Sequence, residues 1–546
     1  MTFSRLTMLE GVVSDPVISP DGKWVVYASP VSGNQEIYLQ STAGQTAINL
    51  TKHPSGDVNP AFSPDGESIA FRSDRDGGGL FVMGRTGESV RRLTANGFTP
   101  AWFPDGRQIV YATLMAPNVE SRGGGVSELW AIDARGGEPR RLYAGDALQP
   151  RVSPQGHRIA FWGIQIDPST NRYSSPNRDL WTIAADGSDP VRLTDDESTE
   201  WNPVWSTDGR WLYFLSNRSG SMNLWRIPVD EASGKATGIA QPMTTPASYI
   251  RYFTLSADGR MGTFATLAVT SNLARVQFDA RTATVHGAVQ RITTGPRDFS
   301  QLEVSPDGNE IVVGPAPRQQ EDLILLAPDI GSVIHLTNDA FRDRNAYFMP
   351  DGRRILFNSD RSGTYDLWSI DRDGSGLRQL TTTTGRYFPV PSPDGSRIVA
   401  GDINTFQLFV YEAGDFSKTP ELLPPFPPEL RGSNFMPRHW SRDGKKLLGV
   451  SAPVNWVYEF DTKQYRALAS FAGSNSMQWF DDNRRLLHIR QGRVFVGDSL
   501  TGHAREVLSV PGEAISAAQF SASGWLYFLS GNASGDIWVV RFGESK

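Results

Sequence analysis

The sequence predicts an all-β fold, a β-propeller of about twelve four-stranded blades, and three observations lead to it. A tight-turn motif of the Ser-Pro-Asp-Gly type recurs at spacings of 39 to 53 residues, the length of one blade. A short strand with an aromatic or aliphatic centre follows in most copies. The 53 Gly and 36 Pro among 546 residues indicate frequent turns, while 15 Trp and 28 Phe supply large rigid side chains for a core.

Each residue of the turn motif has a conformational role in forming a tight turn. Proline fixes φ, aspartate accepts hydrogen bonds from its own backbone, and glycine takes the φ > 0 conformation that other residues resist. The third residue of the motif, degenerate in the last two copies, falls at Asp21, Asp65, Asp105, Gln155, Asp208, Asp258, Asp307, Asp351, Asp394, Asp443, Asp482 and Ser523.

The clearest copy, residues 347–381, shows how one repeat becomes a four-stranded meander. A first strand ends at the turn, RRILFNS alternates polar and apolar residues, DLWSI follows a DRSG turn, and LRQLT closes the unit. Other copies keep the third strand as ELWAI, DLWTI, NLWRI, DLILL and DIWVV. Because a single blade exposes apolar surface on both faces, we expect these aromatic residues to pack from blade to blade.

Twelve blades exceed the four to eight of one propeller, so we expect two rings, most simply six plus six, over residues 1–295 and 296–546. Residues 3–9, FSRLTML, resemble a fourth strand, and the last repeat stops after its third strand, DIWVVRFG. The N-terminal strand is therefore predicted to complete the last blade; the alternative is a frayed terminus. Such a clasp would make blades 1 and 12 neighbours and would allow the second ring to be an insertion.

Composition excludes several function classes. Lys+Arg number 53 and Asp+Glu 59, giving a net charge of −6 with no basic block, which argues against nucleic acid as a partner. The absence of cysteine excludes disulfides, thiolate catalysis and Cys-ligated metal. The N-terminal residues show no signal-peptide pattern and the chain has no apolar run of membrane-spanning length, so we expect a soluble chain with no direct membrane insertion.

The repeats resemble the WD40-like repeats of the TolB family, most clearly AFSPDGESIAFRSDRDGGGLFVM (61–83) and WSTDGRWLYFLSNRSGSMNLWRI (205–227). The order of PVDEASGKATG (228–238) and SNLARVQFDARTATVHG (271–287) is similar to the C-terminal propeller of bacterial membrane-anchored Ser/Thr kinases and of some winged-helix regulators. The resemblance implies a sensor domain on the periplasmic side of a membrane-anchored parent, and otherwise a cytoplasmic protein. Kinase motifs are absent from the sequence.

The motifs of common enzymes are missing or explained by turns. No GxSxG is present, and GDSLTG (497–502), which is similar to an esterase block around Ser499, stands where a hairpin turn is expected. The seven histidines are scattered, so no catalytic residue, metal or cofactor is predicted, although a metal site assembled from several blades, as in oligogalacturonate lyases, stays open. The Asp-rich segments 74–77 and 371–374 are interpreted as turns rather than calcium loops. The repeated arginines Arg75, Arg218 and Arg361 are interpreted equally well as structural or functional.

Candidate binding residues are those that break the repeat near the start of the first strands, where propellers form a funnel, and in a lengthened loop at 164–179. Arginine and aromatic side chains there suit an anionic peptide or a sugar, by bidentate pairing and stacking; the alternative is an ordinary hydrated rim. The candidates are Trp201, Arg251, Tyr252, Arg344, Arg386, Tyr387, Arg438, Arg172 and Tyr173.

The sequence therefore favours a non-catalytic propeller that binds a protein, peptide or glycan. The alternatives are a lyase or hydrolase acting on an anionic polysaccharide or peptide in one funnel, and a structural spacer. An enzyme requires several titratable groups with displaced pKa values in one funnel, whereas unpaired Asn, Arg and Tyr alone favour binding.

Overall fold

The computed structural model is built from β-strands, which confirms the all-β propeller prediction. It describes residues 1–7, 11–114, 126–164, 178–196, 198–219, 222–244, 249–316, 321–329, 331–382, 385–402, 405, 407–427, 436–450 and 454–543, together with the backbone of Ile166–Asp167 and Arg172–Tyr173. Within these residues the helical segments are the short 3₁₀ turns Arg75–Gly77 and Ala469–Phe471. No helix in the described part of the chain has the length and apolar character needed to cross a membrane.

The first of two compact units comprises Met1–Ala268 and Ala533–Lys546. Among its described residues are six four-stranded antiparallel sheets, and their first strands contact one another in a closed cycle. In strand order they are blade 1, Ser14–Ile18, Trp24–Ser29, Glu36–Ser41 and Ala47–Asn49; blade 2, Asp57–Phe62, Ser68–Ser73, Gly79–Gly84 and Arg91–Arg92; blade 3, Phe98–Trp102, Gln108–Ala112, Leu129–Asp133 and Arg140–Tyr143; blade 4, Leu148–Val152, Arg158–Gly163, Asp179–Ala184 and Val191–Arg192; blade 5, Glu200–Trp205, Trp211–Ser216, Asn223–Asp230 and Gln241–Pro242, with Lys235–Ala236 also on the third strand; and blade 6, Tyr249–Leu255, the first part of Met261–Asp279, Ile537–Arg541 and Thr2–Arg5.

The second unit, Val269–Asn532, has the same construction. Six four-stranded sheets are again found among the described residues, with first strands in a closed cycle. They are blade 7, Phe299–Val304, Ile311–Pro315, Ile324–Ala327 and Ser332–His335; blade 8, Asp343–Phe348, Arg354–Ser359, Asp366–Asp371 and Arg378–Gln379; blade 9, Arg386–Pro391, Arg397–Asp402, Leu408–Glu412 and Glu421–Leu422; blade 10, Met436–Trp440, Lys446–Val450, Asn455–Glu459 and Gln464–Leu468; blade 11, Asn475–Trp479, Arg485–Arg490, Arg493–Asp498 and Ala504–Leu508; and blade 12, Ala514–Phe520, Trp525–Ser534, the last part of Met261–Asp279 and Thr284–Arg291.

The N-terminal strand closes a blade, as the sequence predicted. Thr2–Arg5 pairs antiparallel with Ile537–Arg541, in a register that places Thr2 opposite Arg541 and Arg5 opposite Trp538. The Arg5 guanidinium also lies 2.8 Å from the Asp536 carboxylate. The blade that it completes is blade 6, not blade 12, and blade 1 therefore has blade 6 as its neighbour in the cycle.

The domain boundary also differs from the prediction. The expected division between residues 295 and 296 lies inside the second unit, because the chain leaves the first unit at residue 268 and returns at residue 533. Strand Met261–Asp279 runs through this point: residues 261–265 pair with Ile537–Arg541 and residues 274–279 pair with Thr284–Arg291. The second unit is thus an insertion between two strands of blade 6, and DIWVV serves blade 6 as its third strand.

The turn motif folds by local hydrogen bonds. In blade 1 the Asp21 carboxylate accepts from the Ser19 hydroxyl and from the Lys23 amide, the latter at 3.0 Å. The Ser19 hydroxyl accepts from the Trp24 amide at 2.9 Å, and Gly22 adopts φ 71°. The serine–aspartate bond recurs at Ser63, Ser206, Ser256, Ser305, Ser392 and Ser441.

A threonine at the end of the fourth strand ties that strand to the third. In blade 2 the Thr94 hydroxyl accepts from the Leu80 amide at 3.0 Å, and in blade 6 the Thr7 hydroxyl accepts from the Ile537 amide at 2.9 Å. The sequence pattern Leu-Thr or Ile-Thr is therefore a hydrogen-bond device and not only a strand end. The same bond is made by Thr51, Thr194, Thr244, Thr293, Thr337 and Thr381.

The core of each unit lies between neighbouring blades. Phe71 and Phe81 of blade 2 share a cluster with Val26 and Leu39 of blade 1, so apolar surface on one blade is covered by the next. Trp368 of blade 8 packs half-buried against a cluster that includes blade 7 residues. These contacts confirm the expected role of the third-strand aromatic residues.

Candidate functional site

The first strands start with a bulge that aims side chains at the axis of each unit. In the first unit the bulge residues adopt left-handed backbone conformations with φ between 47° and 53°, a region in which Asn and Asp are tolerated best among residues with a Cβ. They surround a cavity of only about 20 Å³, so the axis of the first unit is nearly filled. One residue comes from each blade: Asp15, Asn59, Thr99, Gln149, Asn202 and Tyr252.

The axis of the second unit is open by comparison. Two cavities, of about 450 Å³ and about 900 Å³, share a set of lining residues and so form the two ends of one axial channel. A volume of several hundred Å³ is the size at which proteins bind small ligands. The shared residues are Glu303, Tyr347, Arg438, His439, Gln478 and Gln519.

Five of the six shared residues, all but Arg438, occupy one repeated position of the first strand, two residues before the turn motif. We call the six residues at this position in the second unit the axial ring; five of them are polar or titratable. The corresponding residues of the first unit are mostly small or apolar: Val17, Ala61, Ala101, Arg151, Val204 and Thr254. The axial ring is Glu303, Tyr347, Val390, His439, Gln478 and Gln519.

Sequence reasoning missed the axial ring, although a signal was available. The candidates were taken from the start of the first strands and from one loop, and Arg438 is the one among them that lines the channel. Aligning the repeats on the turn would have shown Glu303, His439 and Gln519 at a position where five other copies have Ala or Val.

Arg438 is the cation at the centre of the channel. Its guanidinium carbon lies 4.9 Å from the centroid of the Phe388 ring, and one Nη atom lies 3.3 Å from the Met436 sulfur. The Tyr347 hydroxyl also contacts this guanidinium. Its Nε is buried and has no hydrogen-bond partner among the described residues. A buried donor without an acceptor is costly, so this guanidinium is incompletely satisfied by the protein.

Three titratable side chains of the axial ring have displaced pKa values. Burial raises the pKa of Glu303 to about 8, against the opposing effects of a hydrogen bond with Gln519 and the positive charge of Arg438. Burial lowers the pKa of His439 to about 4, and its Nδ1 lies 2.7 Å from the Trp440 carbonyl oxygen. Burial also raises the pKa of Tyr347. Near neutral pH the channel therefore holds a largely protonated carboxyl, a neutral imidazole and a neutral phenol.

Three of the predicted binding residues with described side chains belong to the first unit. Trp201 is buried, and its ring centroid lies 5.1 Å from that of Tyr252. The Arg251 guanidinium carbon lies 5.3 Å from the Tyr252 ring. Burial raises the pKa of both Tyr252 and Asp15, which are hydrogen-bonded to each other. These side chains are brought together, but in a packed axial cluster and not around a wide opening.

The other predicted residues with described side chains belong to the second unit, and two of the arginines are already paired. Arg344 forms an ion pair with buried Glu321, and Arg386 forms one with Asp402. Arg386 Nε also donates to the Tyr411 hydroxyl at 2.8 Å.

The expected single opening is therefore divided between two units, and these two guanidiniums stabilise the fold. Their partners lie 23 and 16 residues away, and the pairing depends on the strand register and blade contacts that bring them together. Tyr387 is buried at 8% exposure and packs against Phe388, 4.8 Å between ring centroids. Arg172 and Tyr173 form a short strand with Ile166–Asp167, and their side chains lie outside the described residues.

The arginines of the DRDG, NRSG and DRSG turns are structural. Each pairs with a fully buried acid at the start of the first strand of its blade: Arg75 with Asp57 at 2.7 Å and Arg218 with Glu200 at 2.7 Å. Arg361 makes the same pair with Asp343 at 2.9 Å.

The motifs that might have indicated other chemistry are accounted for by turns and by one ion pair. Carboxylate oxygens of Asp322, Asp339 and Asp343 lie within 4.8 Å of one another, but Arg361 already supplies a cation to two of them. The GDSL segment is a hairpin turn: Asp498 accepts from the Leu500 and Thr501 amides.

Comparison with known proteins identifies the repeat type. The Tricorn protease N-terminal β-propeller domain family matches residues 35–258. A Tol-Pal system protein TolB from Wolinella succinogenes is 29% identical over 171 residues, 30% of this chain and 38% of that protein. A TolB homologue from Chlorobium chlorochromatii is 34% identical over 173 residues, 29% of this chain and 37% of that protein. The repeats are TolB-like β-propeller repeats.

Other similar proteins extend over part of the chain. An uncharacterized protein of Agrobacterium fabrum is 28% identical over 36% of this chain and 64% of its own length. The solved structure of a putative TolB from Agrobacterium tumefaciens has a TM-score of 0.32 and 20% identity over 54% of this chain and 84% of that one. The chain thus spans less than two thirds of the length of the curated relatives it matches.

Proposed function

We propose that the protein is a non-catalytic ligand-binding propeller that takes its ligand into the axial channel of the second unit. The observation that carries this proposal is Arg438, which lines both cavities of the channel and forms no ion pair with a carboxylate among the described residues. By contrast, Arg344 and Arg386 have carboxylate partners.

The lining of the narrower cavity supports a hydrophilic ligand. It includes Ser300, Asn475 and Ser516, which are exposed, beside eight Ala, Val, Leu and Met residues. Polar groups at fixed positions on rigid strands give orientation and specificity to a bound molecule. Two similar proteins are named for TolB, one of them as a Tol-Pal system protein, which supports a peptide or protein segment as the ligand.

A screen with a blocked variant tests the proposal. Amino acids, short peptides, organic acids and sugars would be tested by thermal shift on the wild-type chain, on Ser516→Phe, which fills the mouth of the narrower cavity, and on Ser509→Phe. Ser509 is also exposed, but it does not line either cavity. We expect at least one class to stabilise the wild type and Ser509→Phe but not Ser516→Phe. Hits that persist in Ser516→Phe, or an empty screen, would refute the proposed site.

A second candidate function is acid–base catalysis in the same channel. The convergence of Glu303, with its pKa raised to about 8, and His439, with its pKa lowered to about 4, favours it. If it holds, a compound found in the screen is converted by the wild type, and Glu303→Gln abolishes conversion while leaving binding intact. Recovery of unchanged compound after prolonged incubation would exclude it.

We further propose that the chain is the sensor propeller of a membrane-anchored kinase or a winged-helix regulator, on the periplasmic side. The support is the order of residues 228–238 and 271–287, which lie in the outer part of blade 5 and along the strand that leads into the second unit. The reading frame that surrounds this sequence in its genome tests the proposal: an adjoining kinase or winged-helix segment is expected, and an unrelated enzyme domain would contradict it.

A further inference from the structure

The ligand group that the channel recognises can be narrowed from the charges on its wall, an inference that rests on the proposed function. Among the described residues that line the narrower cavity, Arg438 is the only Lys or Arg. The Glu303 carboxyl of the axial ring also lines this cavity and interacts electrostatically with Arg438. One cation and one carboxyl therefore decide the charge of the narrower cavity.

We propose that the channel binds a carboxylate with a single negative charge on the Arg438 guanidinium, and that Glu303 competes with this ligand when it ionises. The planar guanidinium presents adjacent N–H groups that match the two oxygens of a carboxylate. A phosphate dianion would bring a second negative charge for which the narrower cavity has no second cation. A sugar without an acidic group would offer the guanidinium only neutral acceptors and no negative charge.

The competition follows from the position of Glu303. Its side chain is held by Gln519, whose Oε1 accepts from the Val304 amide at 2.7 Å, so the carboxyl stays in the ring beside Arg438. In its protonated form it leaves the guanidinium available. In its ionised form it repels an incoming carboxylate and attracts Arg438 itself.

His439 and Tyr347, the other titratable side chains of the axial ring, keep their protonation states between about pH 7 and about pH 9. His439 is neutral because its pKa is lowered to about 4, and the raised pKa of Tyr347 keeps the phenol protonated. Arg281, Arg442, Asp279 and Asp481 line the wider end. Between about pH 7 and about pH 9 Asp279 stays ionised, because hydrogen bonds with Thr282 and the Arg281 amide lower its pKa. With a Glu303 pKa of about 8, carboxylate affinity should fall by about tenfold over this range.

The test uses N-acetylglycine and its amide, which differ only in the charged group, with inorganic phosphate as a third probe, all measured by ligand-observed NMR. We expect the acid to bind at least about tenfold more tightly than the amide and phosphate. Arg438→Gln should weaken binding of the acid by at least about tenfold, while Arg353→Gln, an exposed arginine outside the channel, should not. Glu303→Gln should remove the pH dependence.

Equal binding of acid and amide, tighter binding of phosphate, no binding of the acid, or an unchanged pH dependence in Glu303→Gln would each overturn the inference. These results would leave the proposed function standing if uncharged screen hits are still lost in Ser516→Phe. Only hits that ignore Ser516→Phe, or the absence of hits, would remove both.

Discussion

The clasp between the chain ends gives a sharp prediction at Thr7. This residue is 2% exposed, and its hydroxyl accepts from the amide of Ile537, which is fully buried. Thr7→Val keeps the shape of the side chain but removes the acceptor, which leaves a buried N–H unsatisfied. Such a group costs about 1 to 3 kcal/mol, so we expect the first unit to lose about that much free energy of unfolding.

The assay is the midpoint of the first thermal unfolding transition, which should fall by about 2 to 12 °C. Thr94→Val is the matched positive control, since Thr94 makes the same bond to Leu80 inside blade 2. Thr46→Val, at an exposed threonine of blade 1, should change little. If Thr94→Val destabilises the protein and Thr7→Val does not, the N-terminal strand contributes nothing and the clasp is refuted.

Three further predictions concern buried groups elsewhere. Arg218→Met removes the cation that pairs with the buried Glu200 side chain, which keeps its hydrogen bonds from Thr194 and Ser216, and should cost about 3 kcal/mol in urea unfolding, with no loss contradicting a structural role. Because the pKa of Glu303 is raised to about 8 from an ordinary value near 4.5, the native state binds more protons than the unfolded state between these values, and the free energy of unfolding should fall as pH rises through this window. The difference in free energy of unfolding between wild type and Glu303→Gln should therefore shift by at least about 1 kcal/mol across the window. A constant difference would contradict the raised pKa. Gly79→Ala should destabilise blade 2 by at least about 2 kcal/mol, because φ is 139° and the added Cβ would lie 1.9 Å from the Thr94 carbonyl oxygen; an unchanged melting temperature would show that the backbone relaxes freely.

Much of the fold could be predicted because its determinants are local. The Ser-Pro-Asp-Gly turn is specified within six residues by bonds such as those of Ser19 and Asp21, and one residue's conformation does not depend on distant partners. The clasp was predictable for a related reason, since SRLT near the N-terminus carries the same threonine as VRRLT in blade 2.

The exchange of strands between repeats could not be read from the sequence. DIWVV and SNLARVQF both have the pattern of a third strand, and pairing alone decides which blade each one completes. Either assignment buries the same kinds of side chain, so the hydrophobic pattern does not distinguish them.

The surroundings of the candidate binding residues were harder to predict, because charge pairing depends on how the strands are arranged in the fold. Arg344 and Arg386 look available in the sequence, whereas the fold places Glu321 beside Arg344 and places Asp402 directly opposite Arg386 in the first hairpin of blade 9. Arg438 was found because it interrupts the repeat, but Glu303 was missed because its importance depends on a register that becomes meaningful only when six first strands surround one axis.

The most direct test of the account is a crystal structure of the protein with the compound from the screen that binds most tightly. We predict that the compound lies in the axial channel of the second unit, with an acceptor atom within hydrogen-bond distance of the Arg438 guanidinium. A compound bound outside the channel, or in it without a hydrogen bond to the Arg438 guanidinium, would contradict the account.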